Sequence, residues 1–307
     1  MLAGENTEQK MKPKRLHLWN SYLLTLVLLG LGLDGVAAAE AIKHRLLLCE
    51  YPQRLVEVSA DGKLAWEHST PSLTVMCSVL ANGDILYAYG GNPTGAQRIN
   101  RDHKVVWNYV SPCPQVMGVS ALANGNVLVG EQGPCRAVEV NDKGEVVHTV
   151  KLTTSETAFH RQLRHLHQLA GGNILACHEA EGAVREYTPD GKMVWEYVGA
   201  PDVFEALRLE NGNTVIACGT KKRVIEVNRE GKIVWEFGAG DAPELKLTWI
   251  TSLQRLKNGN LVVGNFLRGQ EGRGVHAFEV TRDKKVVWTF ADHQLVKTIT
   301  EVRVLDE

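Results

Sequence analysis

Between positions 160 and 179 the chain concentrates side chains able to do chemistry. His160-Arg161-Gln162-Leu163-Arg164-His165-Leu166-His167 is followed, across one Gly-Gly-Asn turn, by His178-Glu179. Imidazoles that titrate near neutrality serve as general bases, nucleophiles or metal ligands, and a guanidinium beside them steadies a developing oxyanion. Alternate residues of an extended strand share a face, so Leu163, His165 and His167 point to one side. With His165 opposite His178, two imidazoles can hold a metal ion, with Glu131 or Glu205 as a third ligand. The same group can supply a nucleophile or base, assisted by Arg161 or Arg164. The competing reading is histidines hydrogen-bonded to backbone or carboxylates between structural elements. On this basis the candidate catalytic residues are His165, His178 and Arg164. No resident metal or cofactor is assigned; a metal at His165 and His178 is the arrangement the spacing allows.

The elements that position these residues come from a repeat of roughly forty residues. Its first half is Leu-x-Asn-Gly-Asn or a close variant, with glycines at 83, 125, 172, 212 and 259. Its second half is a polar turn, two aliphatics and an aromatic, at Trp66, Trp107, Trp195, Trp235 and Trp288, with His148 in the same place in another copy. Asn-Gly between aliphatic runs predicts a β-hairpin with a two-residue type I′ turn, giving strands A and B. A strand ending in Glu-Val or Glu-Tyr follows as C, and the aromatic lies on D. Four antiparallel strands per unit describe a propeller blade. The first unit supplies B, C and D (46–49, 55–58, 64–68) without an A, while 298–305 reads as an unclaimed strand A. The chain is therefore predicted to be all-β, a six-bladed propeller of four-stranded blades closed by its C-terminal strand. Closure removes both free sheet edges. The aromatics, one per blade at one position, are expected to dock each blade on its neighbour.

Propellers generally bind ligands around the central channel on the face where strand A begins. Under a two-residue turn, the residue seven before each turn glycine faces the residue six after it. The pairs are Met76–Tyr89, Gly118–Glu131, His165–His178, Glu205–Cys218 and Ser252–Asn265, with Glu301–Glu50 in blade one. The position before each B-strand member is small (Cys49, Ala88, Gly130, Cys177, Ala217, Gly264), which suits a crowded channel wall. The candidate ligand-binding residues are Glu50, Tyr89, Glu131, His165, His167, His178, Glu205, Ser252, Asn265 and Glu301.

Residues 1–39 carry a basic start (Lys10, Lys12, Lys14, Arg15), an apolar run and Ala37-Ala38-Ala39, the pattern of a cleaved secretory signal peptide. Export to periplasm or medium is expected, with 40–307 as the propeller and no membrane span in the mature chain. The formal net charge of −1 excludes the large basic excess that nucleic acid requires, and a closed ring predicts a monomer. Six cysteines in an exported chain allow disulfides. Cys113 and Cys135, flanking blade three on one face, are the preferred pair. No Cys-x-x-Cys is present.

The Leu-x-Asn-Gly-Asn hairpins and the Asp-x-x-Gly-Lys-x-Val-Trp-Glu units resemble the exported quinoprotein-like (PQQ-like) propeller superfamily of bacteria, over about 45–307. The resemblance is greatest to small exported propellers ending like the stretch from Phe278-Glu279-Val280 to Asp292-His293. Quinone-dependent dehydrogenases of that type usually have eight blades, adjacent cysteines and a calcium site; with six units and no adjacent cysteines, PQQ is not expected here. Bacterial aryl sulfotransferases look similar in their hairpins, and that resemblance implies a channel histidine that becomes sulfated. By type, His165, His167, His178 and Arg164 are the possible counterparts, whereas blade six offers Trp249-Ile250-Thr251-Ser252 and no histidine. The sequence thus leads to two expectations. One is a binding module taking a small molecule, glycan or peptide at the strand-A end of the channel. The other is a histidine-dependent transferase or lyase centred on blade four.

Overall fold

Each apolar run of the repeat becomes a strand because β-branched and aromatic residues alternate with turn chemistry at a hairpin spacing. The computed structural model describes residues 43–306, so the expected signal peptide lies outside the described residues. Within them, six four-stranded antiparallel sheets form the six predicted blades, at 46–69, 74–110, 115–151, 166–198, 203–238 and 250–290. The last strand, Ile299–Val304, pairs with Leu46–Glu50 and completes blade one. No helix among the described residues is long and apolar enough to cross a membrane.

The hairpin turn corrects the sequence expectation. Leu80 N–H bonds Asp84 O and Gly83 N–H bonds Leu80 O, so three residues, Ala81-Asn82-Gly83, make the loop. Gly83 alone of these has positive φ, at 87°. Asn82 is not among the positive-φ residues and uses its side chain instead, accepting the Asp84 N–H at 3.1 Å. This is the three-residue loop with a left-handed glycine, and it shifts the register by one residue. A further irregularity interrupts the A–B ladder near the start of strand A in five blades, as β-bulges do where side chains are re-aimed. Blade four is irregular there too, since Arg164 N–H bonds Cys177 O while Cys177 N–H bonds His165 O.

The apolar core lies in the seams between blades. Six clusters each draw on two neighbouring blades; between blades five and six, Val215, Val224 and Phe237 meet Leu253, Val263 and Phe278. Polar latches reinforce the rim. The indole N–H groups of Trp66, Trp107, Trp195 and Trp235 donate to Arg101, Asn141, Arg229 and Arg282 carbonyls in the next blade's C–D turn, at 2.7–3.1 Å. His148, where the repeat lacks tryptophan, reaches the Pro189 carbonyl at 2.9 Å. Three turn arginines also pair with strand-C glutamates of the preceding blade: Arg101 with Glu57, Arg229 with Glu186 and Arg282 with Glu226. At the closing seam His44 takes that place, 2.8 Å from Glu279 and edge-on to Trp288. The aromatics therefore dock blades, as their recurrence predicts.

Candidate functional site

Two arrangements stand out along the channel axis: a buried polar layer, and a basic–aromatic mouth above it. The polar layer follows from the shifted register. Each strand-A residue now pairs with the small B-strand position, as Glu301 does with Cys49, Gly118 with Gly130 and Ser252 with Gly264. Small partners are required because a Cβ on Gly264 would stand 2.2 Å from Ser252 Oγ. The strand-A side chains then meet across the axis. His165 Nδ1 of blade four lies 3.5 Å from Glu205 of blade five, and its Nε2 lies 3.5 Å from Glu301 of blade one. His167 Nε2 is 3.3 Å from Glu205. Arg303 binds both carboxylates, at 2.8 Å to Glu205 and 2.7 Å to Glu301, and Leu253 N–H fixes the other Glu205 oxygen at 2.6 Å.

One guanidinium shared by two buried carboxylates separates their proton affinities. Burial alone raises Glu205, but Arg303 and His165 outweigh it and hold its carboxyl well below the usual range. Burial dominates at Glu301 and raises it well above that range. Burial also lowers His165, against the pull of Glu205, so its imidazole is neutral at neutral pH. His165 is 1% exposed and touches no open space.

The B-strand members of the expected column point to the opposite side of each sheet and act as anchors. Tyr89 donates to Tyr109 O at 3.2 Å. Glu131 accepts from Tyr109, Ser111 and Arg136 at 2.6–2.7 Å. Asn265 accepts the Thr248 N–H at 2.7 Å and donates to Val275 O. Glu50 accepts the Lys297 N–H at 2.8 Å. His178, fully buried, meets Tyr187 Oη at 3.0 Å, and burial presses its imidazole down to about 3. The expected pairs are thus corrected: Thr74, Val116, Val203 and Ile250 face Tyr89, Glu131, Cys218 and Asn265. His165 and His178 occupy opposite faces and do not share a metal. All six cysteines are free thiols. The expected Cys113–Cys135 bridge is not formed, because Cys135 is packed with Leu152, Leu163 and Tyr187 while Cys113 receives Arg136 beside Glu131.

The mouth at the start of the A strands is where the structure adds residues the sequence did not single out. Val75, Met117 and Phe204 pack together with Leu73 and Trp249 and floor the mouth above the polar layer. Phe204, Trp249, Phe266 and Tyr51 then run ring to ring, with centroids 5.5–6.1 Å apart. An arginine stands at each end of this arc, Arg164 over Phe204 at 5.1 Å and Arg268 over Tyr51 at 5.8 Å. Exposed His160 lies between them: its Nδ1 meets Gln115 Oε1 at 2.8 Å and its Nε2 lies 3.5 Å from Arg164. Its imidazole is lowered by burial and then by the charges of Arg164, Arg161 and Arg268. Arg164 is neutralised by Glu179, and Arg161 by Asp202 at 2.8 Å. Arg268 makes no ion pair among the described residues, and the buried Trp249 indole N–H has no hydrogen-bond partner there. Tyr51, Phe204, Trp249 and Phe266 come from four separate loop or strand starts outside the repeat columns, so the repeat gives no signal for them; only the His-Arg density at 160–164 marks the mouth.

No protein-family model matches the chain, and no curated protein matches it. Solved structures do. A protein of unknown function from Bacteroides caccae is 27% identical, with a TM-score of 0.76 over 85% of this chain and 98% of that one. Virginiamycin B lyase from Staphylococcus aureus, at 11% identity, aligns over 81% of this chain and 85% of its own with a TM-score of 0.57. The WD40 propeller domain of Doa1, 17% identical, covers 72% of each chain with a TM-score of 0.57. This chain is similar to all three in fold: it is a six-bladed β-propeller.

Proposed function

We propose that this propeller is an exported binding module for a small anionic ligand with a flat apolar body, an aryl sulfate or aryl phosphate in the first instance, held at the strand-A mouth. The carrying observation is the arc of four aromatic rings with an arginine at each end. Rings offer stacking area for a planar body, and guanidinium groups offer fork-shaped donors for sulfate or phosphate oxygens. Arg268, without an ion pair among the described residues, is the donor free to take an acceptor. The apolar floor of Val75, Met117 and Phe204 keeps the ligand off the buried polar layer. The sequence features of the leader support export, and the resemblance to aryl sulfotransferases supports the choice of ester.

Calorimetric titration tests this with an aryl phosphate, an aryl sulfate and the parent phenol. The esters bind, the phenol binds at least tenfold more weakly, and Arg268→Ala removes most of that difference. Equal binding of phenol and ester, or no binding of either, contradicts the reading.

A second reading has chemistry at the same mouth, with His160 as nucleophile or base and Arg164 supporting charge. It is favoured by the neutral, exposed His160 beside three arginines; His165 and His178 are too buried to touch a substrate. Release of phenol from an aryl sulfate, abolished in His160→Ala but not in His148→Ala, is the outcome expected of an enzyme.

A further inference from the structure

Directly below the mouth, the polar layer contains groups that burial should not leave unpaired. Among the described residues, His165 has no hydrogen-bond partner for either ring nitrogen, and His167 Nε2 and Glu301 Oε2 are likewise without one. Buried polar atoms are normally satisfied, and each exception calls for a reason. The spacing supplies one. Two ligands held at about 2.1 Å in a tetrahedral arrangement stand about 3.4 Å apart, and Glu205 Oε1 lies 3.5 Å from His165 Nδ1 and 3.3 Å from His167 Nε2. The three ligand atoms all fall within 4.8 Å of one another.

We propose that His165 Nδ1, His167 Nε2 and Glu205 Oε1 form a three-ligand site for a zinc-class divalent cation, with Glu301 orienting His165. Two imidazoles and one carboxylate are the donor set of borderline transition metals rather than of calcium or magnesium. The remaining nitrogen of a metal-bound histidine usually donates to a carboxylate, and His165 Nε2 faces Glu301 Oε2 at 3.5 Å. Arg303 shares Glu205 Oε1 at 2.8 Å; an oxygen with two lone pairs accommodates both, and the guanidinium offsets the charge of Glu205. The ion reaches the site from the hairpin-turn end. There His167, its side chain 23% exposed, lines a concavity of about 630 Å³ with Ala206, Arg208 and Arg229. Three protein ligands leave one coordination position facing that concavity, where water or a ligand donor completes the shell. The site lies on the other side of the apolar floor from the mouth and is independent of what binds there.

The test is titration of chelator-treated full-length protein with Co²⁺ and Zn²⁺, reading the visible cobalt absorption and the melting temperature. One equivalent of Co²⁺ gives an intense low-coordinate band that Zn²⁺ displaces. His167→Ala, at a partly exposed position, lowers affinity at least tenfold, and Glu301→Gln lowers it roughly ten- to hundredfold. His103→Ala, which breaks the surface His68–His103 pair, changes neither affinity nor band. Absence of the band and of a melting shift in the wild type overturns the proposal. So does binding that survives His167→Ala or disappears with His103→Ala.

Discussion

At the rim of the ring, the strand-D position carries tryptophan in five blades, and His148 in blade three reproduces the same bond to the next blade's turn. At the channel, the corresponding strand-A position carries Met76, Gly118, His165, Glu205, Ser252 and Glu301; only blades five and one agree, and their two glutamates share Arg303. The rim faces the same mechanical problem six times, docking one sheet on the next, and solves it at four seams with one indole and one backbone carbonyl and at a fifth with an imidazole in the indole's place. The channel brings all six positions to one axis, where six copies of one residue would collide or repel; most of the residues there differ, and the one repeated pair, Glu205 and Glu301, is bridged by Arg303. Repetition thus marks structure, and departure from it marks where chemistry can sit.

The largest expected effect breaks the channel side of this contrast. Arg303→Ala leaves Glu205 and Glu301 facing each other without a cation, and removing one partner of a buried charge group costs about 3 kcal/mol or more. Urea unfolding measures it; a loss below about 1 kcal/mol means the carboxylates do not depend on Arg303. On the rim, Trp107→Ala removes a buried indole and its bond to Asn141, at a cost of about 3 kcal/mol. The same change at the more exposed Trp195 costs less, and equal costs would argue against burial as the determinant.

The pH dependence sharpens the comparison. His178, an anchor on the far side of blade four, is lowered by burial to about 3 from 6.5. The unfolded chain therefore takes up a proton there that the folded chain refuses. The stability from neutral His178 is complete above pH 6.5 and is lost as pH falls toward 3, with a slope of about 1.4 kcal/mol per pH unit. His276, lowered to about 4, acts in the same direction. Unfolding midpoints from pH 7 down to 5 follow this slope, and His178→Gln flattens it; an unchanged slope contradicts the assignment. The smallest effect is a gain: His148→Trp restores the repeat and stabilises by about 0.5–1 kcal/mol, unless the indole cannot reach Pro189 O.

Much of the fold was legible because hairpin chemistry and strand-D aromatics recur. Six blades, closure by the C-terminal strand and the docking role of the tryptophans follow from counting. The register did not follow. Asn-Gly serves equally in a two-residue turn and in a three-residue loop with glycine left-handed, and the two differ by one residue. That single step moved Glu131, His178 and Asn265 from the channel to loop anchoring and left His165, Glu205 and Glu301 together. The mouth was legible only as a density of histidine and arginine at 160–164. Its aromatic arc joins Tyr51, Phe204, Trp249 and Phe266 from blades one, five and six, a proximity that ring closure creates.

The most direct measurement of where this molecule binds is amide hydrogen exchange with and without a saturating aryl phosphate. Binding at the strand-A mouth protects 159–165 and 266–268 and leaves the hairpin turns at 169–173 and 209–213 unchanged. Protection confined to those turns, with none at 159–165 or 266–268, would place the ligand at the opposite end of the channel and contradict the reading.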